Sequence, residues 1–107
     1  MIKRTEICGI KPELLSDVRN IFSNYSVEKA YLFGSRAKGT YKQNSDIDIA
    51  VSSDDNLNST TLNMIRNDLE KIDTALCFDI LNLDNINKPS LQENILKEGV
   101  LIYDGGN

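Results

Sequence analysis

The segment that most constrains this fold is four residues long. Ser35-Arg36-Ala37-Lys38 lies between Gly34 and Gly39, with strand-like runs on both sides. Upstream, Val27 to Phe33 ends in the apolar run Ala30-Tyr31-Leu32-Phe33. Downstream, after the polar loop Thr40 to Ser45, Asp46-Ile47-Asp48-Ile49-Ala50-Val51 alternates as a strand does. Parallel neighbours need a crossover of a dozen or more residues, usually a full helix. One helical turn is too short for that, so the first two strands are expected to pair antiparallel.

The rest of the chain supplies longer helices. Lys11 to Tyr25 carries Leu14, Leu15, Val18, Ile21, Phe22 and Tyr25 at helical spacing, and Pro12 suits its first turn. After the polar loop Ser52 to Asn58, a helix from Ser59 to Ile72 puts Leu62, Ile65, Leu69 and Ile72 on one face, with Ser59 or Thr60 available as its cap. Cys77 to Leu83 reads as a strand. Pro89 to Glu98 reads as a helix with Leu91, Ile95 and Leu96 inward and Gly99 as terminator. Val100 to Tyr103 is a last short strand, and the tail from Asp104 to Asn107 is expected to fray. This order predicts an α+β fold, a small mixed sheet with helices packed against it. With 107 residues, no repeat and no Pro/Gly-rich linker, one domain over residues 1–107 is expected.

Composition narrows the chemistry. The chain has no histidine, so His-based general bases, His-containing triads and His-ligated zinc are excluded. Cys8 and Cys77 stand far apart without the pattern of a disulfide framework or a zinc site, and read as ordinary thiols. The net charge of −4 argues against a broad nucleic-acid groove, though a local basic spot remains compatible with it. No apolar run approaches the roughly 20 residues of a membrane span, and Met1-Ile2-Lys3-Arg4 lacks the apolar stretch of a signal peptide. A cytoplasmic location without membrane contact is expected.

Acid–base or metal chemistry must therefore run on carboxylates. Asp46 and Asp48, two apart on a strand, point to the same face, while Ile47, Ile49 and Val51 point to the other. Two such carboxylates repel unless a cation lies between them, and Mg²⁺ suits an all-oxygen site that also holds phosphates. Gly34 lets the backbone approach a ligand closely, and the turn it opens presents unpaired N–H groups beside the Ser35 hydroxyl. Arg36 and Lys38 add positive charge. Separately these are a polar strand end and an ordinary strand-to-helix turn; together they suit a nucleoside triphosphate with bound Mg²⁺. A third carboxylate is expected on an adjacent strand. Asp79 interrupts the apolar run Cys77-Phe78-Asp79-Ile80-Leu81 and is the candidate, with Asp73 its rival at the end of the second long helix.

Gly34-Ser35, ten intervening residues and then Asp46-x-Asp48 resembles the signature of the DNA polymerase β-type nucleotidyltransferase superfamily. Gly34-Ser35-Arg36-Ala37-Lys38-Gly39 with Ser45-Asp46-Ile47-Asp48-Ile49-Ala50-Val51 is similar, more closely, to the minimal nucleotidyltransferases of bacteria and archaea, and the likeness extends to Glu98-Gly99-Val100-Leu101-Ile102-Tyr103. The resemblance implies a polymerase β-like fold and an antitoxin that transfers AMP from ATP to a tyrosine of a HEPN-type ribonuclease toxin. It implies triphosphate held at Gly34 and Ser35 with help from Arg36, two Mg²⁺ ions at Asp46 and Asp48, and Asp79 ligating one metal and helping to activate the attacking hydroxyl. Larger members carry a further acceptor domain, so here the acceptor is expected on a separate protein. Two other functions stand beside this one: a module that neutralises a partner by contact alone, and a nucleotidyltransferase acting on a small molecule or RNA.

Overall fold

The computed structural model describes residues 6–53 and 57–105. Its elements are α1 (Pro12–Ser23), β1 (Lys29–Phe33), α2 (Ser35–Lys38), β2 (Ile47–Ser52), α3 (Ser59–Glu70), β3 (Phe78–Asn82), α4 (Pro89–Glu98) and β4 (Val100–Asp104), with one turn of 3₁₀ helix at Leu83–Asn85. The four strands form one mixed sheet in the order β3-β2-β1-β4. As the short connection requires, β1 and β2 pair antiparallel, with Leu32 opposite Ile49 and Phe33 opposite Asp48. β3 runs parallel to β2, with the full helix α3 as crossover, and β4 closes the other edge antiparallel to β1. The expected α+β fold, a mixed sheet with helices packed on it, is the one found.

The two faces of the sheet are covered differently. Leu15, Val18 and Phe22 of α1 and Ile65 and Leu69 of α3 pack with Leu32, Ile47, Ile49, Val51 and Ile80 into the main core. On the opposite face Ile95 of α4 joins Ala50 and Leu83, with Tyr31, Phe33, Leu81 and Leu91 around them. β2 is thus apolar on one face and mixed on the other, where Asp48 and Ala50 share a side. Both edge strands are tied down by helical arginines. Arg19 Nε donates to the Ile102 carbonyl at 2.6 Å and Arg66 Nη2 to the Ile80 carbonyl at 2.9 Å, which occupies edge groups otherwise open to another strand.

Several expectations are corrected. The cap of α3 is Asn58, whose side chain accepts from the Thr61 N–H at 2.8 Å, so the capping residue precedes Ser59 and Thr60. Leu96, expected inward, is 56% exposed, because the face of α4 that meets the sheet is spanned by Leu91 and Ile95. Gly99 ends α4 as expected, in extended backbone (φ −67°, ψ 154°). It is needed for space: a Cβ there would collide with the Ile95 carbonyl and lie 3.1 Å from that of Leu32. Of the tail expected to fray, Asp104 belongs to β4 and the Gly105 N–H donates to Glu28 O at 2.7 Å. Gly106 and Asn107 lie outside the described residues, as do Met1 to Arg4.

Candidate active site

β2 enters the sheet at Ile47, whose N–H donates to the Cys77 carbonyl at 2.8 Å. Asp46 therefore sits immediately before the strand, exposed, and Asp48 is the first carboxylate inside it. The register gives Asp48 a neighbour on each side. Across the antiparallel pair lies Phe33, followed by Gly34; across the parallel pair lies Asp79. Residues paired between adjacent strands share a face, so Asp79 stands beside Asp48. Asp73 lies instead in the turn after α3, on a groove it shares with Leu14, Asp17 and Tyr41.

Electrostatics report the same arrangement. Asp48 is half-buried, and burial is the main cause that lifts its carboxyl above the usual aspartate range; the negative charges of Asp79 and then Asp46 lift it further. The Arg36 guanidinium opposes the lift more weakly than any of these. Asp48 is thus a carboxylate whose ionised form the surroundings disfavour, which is the condition a bound cation relieves. The donor set is oxygen only, which fits hard Mg²⁺. As the side chains stand, no group of three or more Asp, Glu or Cys among the described residues is drawn into a closed metal cage.

Gly34 joins the two halves of the motif. Its backbone (φ 72°, ψ −149°) lies in a region that glycine alone occupies readily. A Cβ on Gly34 would also collide with Oδ2 of Asp48. The turn is consequently packed directly on the carboxylate, with no side chain between them. α2 then makes a single turn, closed by the Lys38 N–H on the Gly34 carbonyl at 3.1 Å. It ends at Gly39 in the left-handed region, with the Thr40 N–H reaching back to Ser35 O at 3.1 Å. The N–H groups of Ser35, Arg36 and Ala37 precede the first donor of this turn, Lys38, and have no acceptor within it.

The two cations of α2 have different placements. Arg36 does not face the phosphate turn as the sequence suggested. It is 1% exposed, and its guanidinium is held by the backbone carbonyls of Cys8, Gln43 and Ser45. Each of the three guanidinium nitrogens thus donates to the main chain, which ties the charge to the backbone. Lys38 is exposed and, with Gly34, Phe33, Ala37, Leu91 and Asn94, lines a cleft of about 240 Å³ between α2 and α4. A tight turn at Ile7–Ile10, which periodicity does not mark, also packs against this region. There the two isoleucines exchange backbone hydrogen bonds of 3.1 and 2.9 Å, while Cys8 (φ 53°) and Gly9 (φ 76°) both have positive φ. Its local signal was a Cys-Gly pair flanked by isoleucines, a weaker hairpin mark than Asn-Gly or Asp-Gly.

Known proteins bear on this geometry. Residues 16–106 match the profile of the Polymerase beta, Nucleotidyltransferase family. The match spans most of the chain, which therefore belongs to that family. Among solved structures, the fold is similar to a toxin–antitoxin crystallised with AMP-PNP, at 24% identity and a TM-score of 0.70 over 84% of this chain and 73% of that one. It is similar also to the toxin–antitoxin MntA-HpeT carrying two Asp-to-Glu substitutions (22% identity, TM-score 0.69, 84% and 73% covered). A third similar structure is a candidate nucleotidyltransferase from Sulfolobus solfataricus (24%, 0.55, 87% and 79%). No curated protein matches the sequence.

Proposed function

We propose that this protein is a metal-dependent adenylyltransferase that moves AMP from ATP to a tyrosine of a partner HEPN-type ribonuclease toxin, and so acts as that toxin's antitoxin in the cytoplasm. The observation that carries the reading is the contact of Gly34 with Asp48, which sets the Gly34 turn directly against a carboxylate flanked by Asp79 and Asp46. Structural likeness to toxin–antitoxin proteins, one of them with AMP-PNP, supports the partner and the nucleotide.

In this reading the first N–H groups of α2 and the Ser35 hydroxyl hold the outer phosphates, and Lys38 supplies the cation assigned from sequence to Arg36. Asp46 and Asp48 would hold Mg²⁺, with Asp79 as third ligand. When bound, the metal would supply charge neutralisation on the triphosphate while the tyrosine oxygen bonds to the α-phosphorus in line and the α–β phosphoanhydride bond breaks, releasing pyrophosphate. Asp79, exposed on the edge strand β3, is open to an incoming tyrosine hydroxyl and takes its proton. Asp48, held between Gly34 and Asp79, fixes the line of attack.

The test is ATP labelled at the α-phosphate, incubated with the HEPN-type partner and Mg²⁺. Label should appear on a partner tyrosine, and Asp46→Asn and Asp48→Asn should each lower the rate by at least about 10²-fold. Transfer that survives both substitutions would remove the site. Neutralisation of the toxin with no transfer would leave a contact-only binding module.

A further inference from the structure

Arg36 heads the fully buried side chains by size, and its bonds run to the main chain. Nε and Nη2 donate to the Ser45 carbonyl at 3.2 and 2.8 Å, Nη1 to that of Cys8 at 2.9 Å, and Nη2 also to that of Gln43 at 3.4 Å. The Tyr41 ring covers the guanidinium at 5.1 Å. Gly9 presses on the other part of that ring, so closely that a Cβ would lie 2.5 Å from Tyr41 Cε2. One side chain thereby ties three separate segments together: the Ile7–Ile10 turn, α2 and the loop that leads into β2. The loop is also closed on itself, since the Ser45 N–H donates to Lys42 O at 3.0 Å and the Lys42 N–H to Ser45 Oγ at 2.7 Å.

The last residue held is the one before Asp46. The first residue after Asp46, Ile47, is held by Cys77. Asp46 itself is exposed, so its backbone is fixed from both sides while its side chain stays free. We propose that Arg36 is a positioning residue for Asp46, acting through the Ser45 carbonyl, and that the Cys8-Gly9 turn is a remote part of the same device. The proposal rests on the reading of Asp46 as a metal ligand. The Arg36 bonds end on carbonyls, and such contacts set the path of the chain without engaging the Asp46 side chain.

The full chain is examined as Arg36→Met, Arg36→Lys, Gly9→Ala and Asp46→Asn. Amide hydrogen exchange is measured without nucleotide, Mn²⁺ affinity by electron paramagnetic resonance, and kcat and KM for ATP with the partner. Gly9→Ala keeps Arg36 and all three aspartates, yet displaces Tyr41. It and Arg36→Met should raise exchange over residues 40–47 with α1 and α3 unchanged, weaken Mn²⁺ by roughly 10-fold and lower kcat by about 10²-fold, with KM for ATP moving less. Arg36→Lys should fall between Arg36→Met and the parent. Exchange that rises evenly through the chain, with Mn²⁺ affinity of the folded protein unchanged, would make Arg36 a plain packing residue and overturn the proposal. Equal Mn²⁺ binding by the parent and Asp46→Asn would overturn it by a different route, through the metal-site reading. The exchange pattern, which needs no metal, tells the two failures apart.

Discussion

The two faces of this sheet are built from the same strands and serve different ends. Under α1 and α3, side chains from β1, β2, β3 and β4 are sealed into a continuous apolar layer. Under α4 the apolar layer is short, formed around Ala50, Leu83 and Ile95, and at the Asp48 end it gives way to carboxylates and the Gly34 turn. The closed face holds the fold, and the partly open face carries groups that would be costly to bury without a ligand. Because β2 contributes to both, one strand places a rigid core directly behind a repulsive carboxylate cluster. Substitutions on the two faces should therefore differ in sign as well as in size.

The largest effect is expected on the closed face. Phe22 is fully buried and meets Tyr103 edge-to-face at 5.8 Å. Phe22→Ala should cost about 3–5 kcal/mol in urea unfolding, while the fraction that remains folded binds Mn²⁺–ATP as before. Lost nucleotide binding in that folded fraction would show that the faces are coupled more tightly than their packing implies.

A smaller loss of stability is expected at the border of the open face. Gly34→Ala places a side chain in a backbone region suited to glycine and against the Asp48 carboxylate. It should cost about 1–3 kcal/mol and, unlike Phe22→Ala, also abolish labelled-AMP transfer. Retained transfer would mean that the close contact is dispensable.

Asp48→Asn should move stability the other way. Asp48 binds its proton more tightly folded than unfolded, so the apo protein loses stability as pH rises from the ordinary aspartate value through the raised native one. The substitution removes that loss. Apo Asp48→Asn should be slightly more stable than the parent at neutral pH and equal to it below about pH 4, with Mg²⁺ stabilising the parent alone. Paired denaturation curves at the two pH values measure this, and an unchanged parent–variant gap would end the account of carboxylate repulsion.

The smallest effect should come from Leu96, on the outer side of α4. Leu96→Gln should change stability by no more than about 0.5 kcal/mol, because the side chain is already in solvent. A loss near that of a core residue would return Leu96 to the inward position its spacing suggested.

Much of this was legible in the chain. Alternation along Asp46 to Val51 placed two carboxylates on one face because the strand period is two. The one-turn connection forced β1 and β2 antiparallel, since nothing longer joins them. Helical spacing marked the faces of α1 and α3 because a stripe recurring every third or fourth residue has to find a core. For Leu96 the same rule failed: α4 meets the sheet through Leu91 and Ile95, a narrower stripe than the apolar spacing offers.

What only the tertiary structure decided were relations between distant residues. That Asp79 stands opposite Asp48 depends on the register of a parallel pair joined by α3, and a slip of one residue would have turned it to the other face. The contact of Gly34 with Asp48 depends on the β1–β2 register in the same way. Arg36 is the clearest case. Beside Gly34 and Ser35 its charge looked made for phosphate, but a long side chain goes where acceptors converge. Those acceptors are carbonyls at Cys8, Gln43 and Ser45, brought together by the fold alone. The sequence by itself determined which groups are present and which of them share a face; packing decided which of them touch.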